Sequence, residues 1–350
     1  IVSVFGIRSL SIIEHKIDKL SQVEGIGRKR IKMIRQAWIE QRHVRSVMLF
    51  LQAHAVSTVY SGKIIKTYGR DAVHIVKENP FRLARDVPGI GFVTADKIAL
   101  KLGMKKKAPQ RIVAGLEYAL YRLADDGHVC YPHDDLCQKV QQMLDVNVCM
   151  VLKAVEESLL AGRIVVERIN KKMGGEKNTK VVYLKKYHIC ETGIADNFKQ
   201  LKHAPKTIRK IDSNKAAEWI KGRINIRLAK EQEQAVKKSL KEKVLIITGG
   251  PGTGKTTLIN AIIKIFKKTG AKILLAAPTG RAAKRMNETT WEKARTIHRM
   301  LDYSVKEAGF KKNHKNRLKC DVLIIDEASM IDIVLMHHLL KALPREATLI

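Results

Sequence analysis

Apolar and polar residues recur at helical spacing over the first third of the chain, which predicts a series of short amphipathic helices. Two junctions between these helices carry the same tripeptide, Gly-Ile-Gly, at residues 25–27 and 89–91. Residues 44–68 favour two more helices, with Ser61 and Gly62 as a degenerate third junction. The pattern predicts an α-helical domain of stacked helix-hairpin-helix repeats over residues 1–107.

The pattern changes at Gln110. Three stretches with helical apolar spacing are followed by two strand-like stretches: 111–124, 134–144, 149–161, 163–168 and 180–184. Three helices and a pair of strands predict a winged-helix-like module over residues 108–190. The lysines in and beside the loop between the strands either follow a phosphate backbone or keep the loop soluble, and the sequence favours neither: Lys171, Lys172, Lys177 and Lys180.

Apolar runs without internal charges mark the last third of the chain: 244–248, 272–277 after its first residue Lys272, 321–325 after its first residue Asp321, and a run that begins at residue 347. Runs without alternation are typical of parallel strands buried on both faces. Helical patterns separate them, so residues 226–350 are interpreted as an incomplete α/β lobe with a parallel sheet. Residues 191–225 are helical and polar, and we interpret them as a connector. The fold class is multidomain, α followed by α/β.

The first apolar run leads into a phosphate-binding loop. Residues 249–256 match the pattern G-x-x-x-x-G-K-[ST], with a predicted strand before it and a predicted helix after it. Glycines let backbone N–H groups turn toward an anion, Lys255 supplies a charge for the β and γ phosphates, and Thr256 supplies a hydroxyl for Mg²⁺. The predicted nucleotide-binding residues are Gly249, Gly250, Pro251, Gly252, Thr253, Gly254, Lys255, Thr256 and Thr257.

Two adjacent carboxylates, Asp326 and Glu327, end the third apolar run. Asp326 is predicted to hold Mg²⁺, and Glu327 to orient and deprotonate the water that attacks the γ-phosphate. Together with Lys255 they are the candidate catalytic residues. Gln232 precedes the phosphate-binding loop, and its amide can donate and accept hydrogen bonds at once, which suits adenine; an ordinary surface glutamine is the alternative.

The second apolar run ends at a basic, hydroxyl-bearing segment that contains Thr279, Gly280, Arg281 and Lys284. Residues just past the carboxyl end of a parallel strand line the binding edge of such a sheet. Basic and hydroxyl groups favour a phosphodiester as the ligand. Thr296 and His298 follow, and His298 is either a nucleic-acid contact or an ordinary histidine at a helix start.

The charge of the chain indicates the class of partner. Lys and Arg number 66 against 34 acidic residues, which gives a formal net charge of +32. Such a field attracts a polyanion, although a lysine-rich genome or solvated helix faces would also raise the count. The N–H groups of the Gly-Ile-Gly turns can approach a DNA phosphate, and the basic run after the first turn makes it the stronger predicted binder. The predicted contacts are Gly25, Gly27, Arg28, Lys29, Gly89 and Gly91.

The five cysteines form no C-x-x-C pair, and together with the absence of a recognisable secretory signal this predicts a reducing, intracellular setting. No apolar run approaches the ~20 residues of a membrane span. His128, Cys130, His133 and Cys137 include zinc-ligand types, but their spacing is too cramped for the usual pattern. The chain begins at Ile1 and stops within an apolar run, as expected of a piece of a longer protein.

Several longer stretches carry a family resemblance. The phosphate-binding loop is followed in order by APTGRAAKRM at 277–286, TIHRML at 296–301 and IIDEASM at 324–330. In this order they closely resemble the RecD-like DNA helicases of superfamily 1. Four N-terminal stretches resemble the long-N-terminus branch of that family: VMLFLQ at 47–52, ENPFRLA at 78–84, GIGFVTADKIA at 89–99 and GHV at 127–129.

The resemblance implies that the α/β lobe is RecA-like and uses ATP and Mg²⁺. It also implies 5′-to-3′ translocation on single-stranded DNA, unwinding of duplex ends or forks in repair or recombination, and a place in the bacterial cytoplasm at the nucleoid. By resemblance, Gln232 reads adenine, and five residues line the single-strand track: Thr279, Gly280, Arg281, Thr296 and His298.

The family also has a second RecA-like lobe, whose arginines complete the ATP site, and a small barrel inserted there, and neither is found in this sequence. We therefore expect residues 1–350 to bind nucleotide and DNA, to hydrolyse ATP slowly and to unwind nothing. The alternative is a helix-hairpin-helix DNA-binding scaffold in which the nucleotide lobe acts as a switch without motor activity.

Overall fold

The computed structural model describes residues 1–54, 56–169, 179–209, 211–222, 228–250, 252–304 and 309–350. The chain divides into two compact units, residues 1–184 and residues 185–350. The finer division into four parts at residues 107, 190 and 225 stays a prediction. No helix in the described part of the chain is both long and apolar enough to cross a membrane.

The first unit is mainly helical. Its helices are α1 (Val2–Phe5), α2 (Ser9–His15), α3 (Arg28–Ala53), α4 (Thr58–Tyr68), α5 (Ala72–Glu78), α6 (Arg82–Asp86), α7 (Phe92–Lys101), α8 (Pro109–Asp125), α9 (His133–Leu144) and α10 (Val148–Leu160). Short 3-10 turns cover Gly6–Arg8, Ile17–Gln22 and Gly69–Asp71.

The expected third hairpin junction at Ser61 and Gly62 is wrong, because both residues lie inside α4. There the Ser61 hydroxyl donates to the Ser57 carbonyl at 3.0 Å.

Three antiparallel strands complete the first unit: β1 (Cys130–Pro132), β2 (Ile164–Ile169) and β3 (Thr179–Leu184), in the order β1–β3–β2. Helices α8, α9 and α10 with this sheet give the arrangement expected of a winged-helix-like module. Strand β1 is too short to show alternation, so the sequence did not reveal it. Lys171, Lys172 and Lys177 lie outside the described residues, and Lys180 is an exposed residue of β3.

A buried arginine connects three segments of the first unit. Arg111 of α8 is only 8% exposed, and its guanidinium donates to both carboxylate oxygens of Asp96 in α7 at 2.7 and 3.0 Å. The same group donates to the carbonyl of Lys106 at 2.9 Å and to that of Leu144, the last residue of α9, at 3.1 Å. A bidentate pair of this kind fixes orientation as well as charge.

The second unit is an α/β lobe. Its helices are α11 (Lys185–His203), α12 (Ser213–Lys221), α13 (Lys230–Lys241), α14 (Lys255–Lys268), α15 (Gly280–Thr290), α16 (Ile297–Met300) and α17 (Ile333–Ala342). Its strands are β4 (Ile273–Ala277), β5 (Ala294–Thr296), β6 (Tyr303–Ser304), β7 (Gly309–Phe310), β8 (Val322–Ile325) and β9 (Thr348–Leu349). The polar residues interpreted as a connector form α11 and α12, which pack against α17 and α13 within this unit.

The parallel sheet of this unit has the order β5–β4–β8–β9. Val244 extends it by a parallel bridge to Leu349, and the N–H of Leu245 donates to the Leu349 carbonyl at 2.9 Å. One apolar cluster contains Ile262 and Phe266 of α14, and another contains Leu335 and Leu339 of α17. The order agrees with the predicted parallel α/β lobe.

The run at residues 244–248 differs from its prediction as a strand buried on both faces. Only Val244 forms a bridge in the described sheet, and Ile246 is 81% exposed. This segment is partly exposed because it lies at the edge of the described sheet, where β9 is its one described neighbour. A long apolar run therefore predicted a strand of the sheet but not its place at an edge.

Candidate nucleotide and nucleic-acid sites

Three of the predicted motifs lie at one edge of the parallel sheet. The phosphate-binding loop follows the segment beside β9, residues 278–281 follow β4, and Asp326 and Glu327 follow β8. All of these segments run parallel, so their carboxyl ends meet at the same edge, which we call the carboxyl edge. The fold thus brings together the phosphate-binding loop, the acidic pair and the basic segment.

Glycine conformation and a folded-back lysine shape the phosphate-binding loop. Gly252 and Gly254 both have φ of +76°, which side chains disfavour, and Gly254 caps the 14-residue helix α14. The Lys255 ammonium donates to the carbonyls of Gly249 and Gly250 at 2.6 and 2.7 Å. The lysine charge therefore lies over the loop, at the positive end of α14. Pro251 lies outside the described residues.

The loop leaves little room for side chains. A Cβ added to Gly249 would lie 2.7 Å from the Thr253 hydroxyl, and one added to Gly254 would lie 2.8 Å from the Gln232 amide nitrogen. Glycine at these positions lets the backbone approach its neighbours closely. Together with Lys255 and the helix start, this arrangement fits a bound triphosphate.

Two carboxylates, Asp326 and Glu327, lie at the carboxyl end of β8. The N–H of Asp326 donates to the Ala276 carbonyl of β4 at 3.0 Å, and an Asp326 carboxylate oxygen accepts from the N–H of Glu327 at 3.0 Å. Glu327 is exposed and has a left-handed φ of +54°, so the chain turns sharply as the strand ends. Carboxylate and hydroxyl oxygens suit a hard divalent cation, and Asp326 and Thr256, a half-buried residue in the first turn of α14, fit that role.

Gln232 contacts the phosphate-binding loop directly. Its amide oxygen accepts from the N–H of Ala229 at 3.0 Å, and its amide nitrogen donates to the Thr253 carbonyl at 2.9 Å. It thereby links the start of α13 to the loop across 21 residues of sequence. Gln232 is three residues after the helix cap, and a glutamine at that position is typical of a contact with the cap residue. The sequence therefore indicates the hydrogen bond with Ala229 but not the one with Thr253. Its role in reading adenine stays a prediction.

The two predicted single-strand motifs lie side by side at the carboxyl edge. Thr296, the last residue of β5, pairs with Ala277, the last residue of β4, and Thr279 lies two residues beyond Ala277. Both hydroxyls cap helices, since Thr279 accepts from the N–H of Ala282 at 3.2 Å and Thr296 from that of Arg299 at 3.3 Å. Gly280, Arg281 and His298 are exposed beside these caps. Exposed cationic and N–H groups at two helix starts suit a phosphate backbone.

Aromatic rings lie next to His298. Its ring is 6.1 Å from Tyr303 of β6 and 5.8 Å from Phe310 of β7, and those two rings are 5.1 Å apart. Neither aromatic residue is predicted from the sequence. Strands of two residues have no periodicity, so the pattern carried no signal for them.

The two Gly-Ile-Gly turns have the same backbone geometry. The N–H of Ile26 donates to the Val23 carbonyl at 3.1 Å, and the N–H of Ile90 donates to the Val87 carbonyl at 3.1 Å. The first glycine of each turn has a left-handed φ, +82° for Gly25 and +92° for Gly89. The second glycines, Gly27 and Gly91, cap α3 and α7, so each turn presents a helix start.

The surroundings of the two turns differ in charge. Arg28 and Lys29 are exposed in the first turn of α3, and Arg30 donates to the Gly25 carbonyl at 2.8 Å. At the second turn Phe92 is buried, but Lys63 of α4 donates to the Pro88 carbonyl at 2.9 Å. The second turn therefore also has a cation beside it, supplied from 25 residues away, which the sequence analysis missed.

Comparison with known proteins gives two family matches. The family described as ATP-dependent RecD2 DNA helicase HHH domain matches residues 40–130, which include the second Gly-Ile-Gly turn. The family described as AAA domain matches residues 232–350, which include the phosphate-binding loop and the acidic pair. The matches follow the order of the two units.

Similar proteins agree with these matches. The chain is 29% identical over 351 residues to the ATP-dependent RecD2 DNA helicase of Deinococcus radiodurans, which covers 98% of this chain and 48% of that protein. It is 40% identical over 140 residues to the RecBCD enzyme subunit RecD of Buchnera aphidicola subsp. Schizaphis graminum, covering 34% and 23%. A RecD subunit from Buchnera aphidicola subsp. Acyrthosiphon pisum is 32% identical over 200 residues, covering 51% and 33%.

The chain spans about half the length of the first of these relatives and a smaller share of the others. The helix-hairpin-helix match, the AAA match and the similarity along nearly the whole chain agree with the two units of the structure. Along nearly its whole length, the chain is similar to the RecD-like DNA helicases.

Proposed function

We propose that this chain is the part of an ATP-dependent DNA helicase that binds nucleotide and grips DNA, and that the complete protein moves 5′ to 3′ on single-stranded DNA. The observation that supports this proposal is the shared carboxyl edge. The acidic pair of the proposed nucleotide site follows β8, and the basic segment of the proposed single-strand track follows β4. These two strands pair directly, so the two motifs are neighbours at that edge.

In this proposal ATP binds at the phosphate-binding loop. Lys255 exchanges its bonds to the carbonyls of Gly249 and Gly250 for bonds to phosphate oxygens, which the start of α14 also attracts. Gln232 lies against the loop, where its amide can exchange a protein contact for the adenine edge. The other loop residues hold the phosphates through backbone N–H groups.

A bound Mg²⁺ would neutralise phosphate charge, with Thr256 and Asp326 as the residues that hold it. Glu327 is then the general base, because its exposed carboxylate lies at the end of the strand beside Asp326. It orients the attacking water and accepts its proton. The left-handed backbone at Glu327 sets the direction of that carboxylate.

DNA binds, in this proposal, at two places. Thr279, Gly280, Arg281, Thr296 and His298 hold the single strand at the carboxyl edge. The Gly-Ile-Gly turns hold backbone phosphates of duplex ends or forks through Gly25, Gly27, Gly89 and Gly91, assisted by Arg28 and Lys29. Contacts of this kind fix position on DNA without reading its sequence.

Variants of the loop lysine test the nucleotide part of the proposal. Loss of a charge-assisted hydrogen bond costs about 1.5–3 kcal/mol, so Lys255→Ala should weaken binding of a fluorescent ATP analogue by roughly tenfold to a hundredfold. Lys264→Ala removes an exposed lysine from the same helix and serves as the control. Equal affinities for the two variants would remove Lys255 from the site.

An Arg281→Ala variant tests the DNA part in the same samples. It should weaken binding of a single-stranded oligonucleotide, measured by fluorescence anisotropy, while leaving affinity for the ATP analogue unchanged. Arg285→Ala is the control, because Arg285 is an exposed arginine farther along the same helix. An Arg281 variant with unaltered affinity for DNA would contradict the proposed track.

A further inference from the structure

Trp291 is a large apolar side chain left in solvent. It is 91% exposed and follows α15, where its N–H donates to the Asn287 carbonyl at 2.9 Å. The other two tryptophans of the chain, Trp38 and Trp219, are half-buried. Trp291 therefore does not contribute to the hydrophobic core of its lobe, and another reason is needed for a tryptophan at this position.

The backbone at Trp291 is also one that tryptophan disfavours. Its φ of +58° and ψ of 22° place it in the left-handed region, at the position after a helix where glycine is the usual residue. Glycine would adopt this conformation without steric conflict and would expose no apolar surface. The indole is thus held in solvent at a strained turn, and this combination is typical of a side chain with a binding role.

The turn lies at the sheet edge opposite to the nucleotide. Helices α14 and α15 both start at the carboxyl edge, and both end at the other edge, which we call the amino edge. Lys267 near the end of α14 forms an ion pair with Glu292, the residue after Trp291. Trp291 is therefore next to the end of α14 and separate from the proposed single-strand track.

The amino edge is strongly cationic around this indole. Lys268 ends α14, Lys272 precedes β4 and Lys293 lies two residues after Trp291, and all three are exposed. Two acidic side chains beside this turn and beside Lys272 are engaged, since Glu292 pairs with Lys267 and Asp321 accepts from the N–H of Lys272 at 2.7 Å. A single-stranded polynucleotide has the matching chemistry, because its bases stack on aromatic rings and its phosphates attract lysines.

A protein partner fits this surface less well. Energetic anchors in protein interfaces are surrounded by groups that exclude water, and charged residues are depleted at their centres. The residues on either side of Trp291 are Thr290, which is buried, and Glu292, which is charged. One planar ring among cations is the arrangement that nucleic-acid stacking requires and that a dry interface lacks.

We propose that Trp291 is a stacking platform for a base of single-stranded nucleic acid, with Lys268, Lys272 and Lys293 binding the neighbouring phosphates. The site is a second polynucleotide contact, at the amino edge, beyond the track proposed above. It does not depend on the proposed helicase activity.

Intrinsic fluorescence tests this proposal directly. In the Trp38→Phe, Trp219→Phe background, Trp291 is the remaining tryptophan of the three. We expect oligo(dT) of about a dozen nucleotides to quench its emission, and we expect quenching to weaken as salt rises. Binding seen by anisotropy without any change in this emission would overturn the proposal.

Two substitutions separate stacking from folding. Trp291→Gly should lower the affinity for oligo(dT) about fivefold or more, and should leave the Tm unchanged or raised because glycine suits this backbone. Trp291→Phe keeps an aromatic ring in the same backbone and should retain most of the affinity. An unchanged affinity in Trp291→Gly overturns the proposal and points to a protein partner for this surface.

The Arg281→Ala variant distinguishes this site from the carboxyl edge. Quenching of Trp291 should persist in that variant, because the two contacts lie at opposite edges. If Arg281→Ala leaves DNA binding intact while Trp291→Gly weakens it, the amino-edge site stands and the proposed track fails. Loss of quenching in Arg281→Ala would show that Trp291 does not bind DNA by itself, which overturns the amino-edge site.

Discussion

Gly252 and Gly254 share a φ of +76° but have different surroundings. A Cβ at Gly252 would meet nothing within 4 Å, whereas one at Gly254 would lie 2.8 Å from the Gln232 amide nitrogen. Gly252→Ala should therefore lower the free energy of unfolding by about 1 kcal/mol, from backbone strain alone. Gly254→Ala should lower it by a further ~1 kcal/mol, because Gln232 must give up its hydrogen bond to the Thr253 carbonyl.

Urea denaturation of both variants measures this difference, and the ATP-analogue titration supplies a second readout. Gly254→Ala should bind the analogue more weakly than Gly252→Ala, since it displaces Gln232. Equal losses in both variants would mean that the contact between Gln232 and the loop contributes nothing to stability.

Lys243 is a second residue whose environment has a measurable consequence. It is 8% exposed and donates to the carbonyls of Pro205 and Arg345 at 3.1 and 3.0 Å. Burial, together with repulsion from Lys206, lowers the pKa of Lys243 from 10.5 to about 8. The folded state therefore loses this proton at a lower pH than the unfolded state does.

The sign of the pH effect follows from proton binding. Between about pH 8 and pH 10.5 the unfolded chain holds more protons at Lys243, so stability rises with pH there. We expect the free energy of unfolding to gain about 1 kcal/mol between pH 7 and pH 9. Above pH 9 the buried Cys320 thiol, whose pKa is raised to about 12 by burial, acts in the opposite direction.

Lys243→Met is the matched variant, and denaturant unfolding at pH 7, 8 and 9 is the measurement. The variant should lose most of the rise with pH, because methionine has no proton to release. A rise of the same size in the variant would assign the effect to other groups.

At the scale of elements, the helix-hairpin-helix turns were the most predictable feature. Each Gly-Ile-Gly turn combines a left-handed glycine, an isoleucine that is buried (Ile90) or half-buried (Ile26) and a helix start, and these features are local. The contacts of Lys63 with Pro88 and of Gln232 with Thr253 could not be predicted, because they join residues 25 and 21 positions apart. Strands β1, β6 and β7 were missed because two or three residues cannot show a period.

The charges after the first turn predict a salt-dependent contact. Each phosphate neutralised by a cation contributes about 0.9 to the slope of log affinity against log salt on duplex DNA. Replacing both Arg28 and Lys29 by alanine should therefore reduce the slope by about 2. Anisotropy with a forked or blunt duplex at several salt concentrations provides the measurement.

Lys97 and Lys101 provide the matched control for that experiment. Both are exposed on α7, beyond the first turn of the helix that follows the second Gly-Ile-Gly turn. Their double alanine variant removes the same charge and should change the slope less. Equal slopes for the two double variants would mean that the overall field, and not the hairpin, attracts the DNA.

At the scale of the whole molecule, the two compact units should respond differently to nucleotide. The loop, the acidic pair and Gln232 all belong to residues 185–350. A non-hydrolysable ATP analogue with Mg²⁺ should slow backbone hydrogen exchange around residues 249–257, 228–236 and 322–327, and should leave residues 1–184 unprotected by comparison.

Removing Mg²⁺ should change the protection from hydrogen exchange differently at the two parts of the nucleotide site. With a chelator present, protection around residues 322–327 should fall more than protection around residues 249–257, because the acidic pair contacts the nucleotide through the cation. Hydrogen-exchange mass spectrometry of the same protein gives both results. Uniform protection of the two units would contradict a nucleotide site confined to the second.

Arg111 gives the first unit a mechanical property. Its guanidinium donates hydrogen bonds to Asp96 of α7, to the carbonyl of Lys106 and to the carbonyl at the end of α9. The second Gly-Ile-Gly turn starts α7, and Asp96 of α7 is held by Arg111 of α8. A force applied at this turn should therefore move α7, α8 and the end of α9 together as one rigid group.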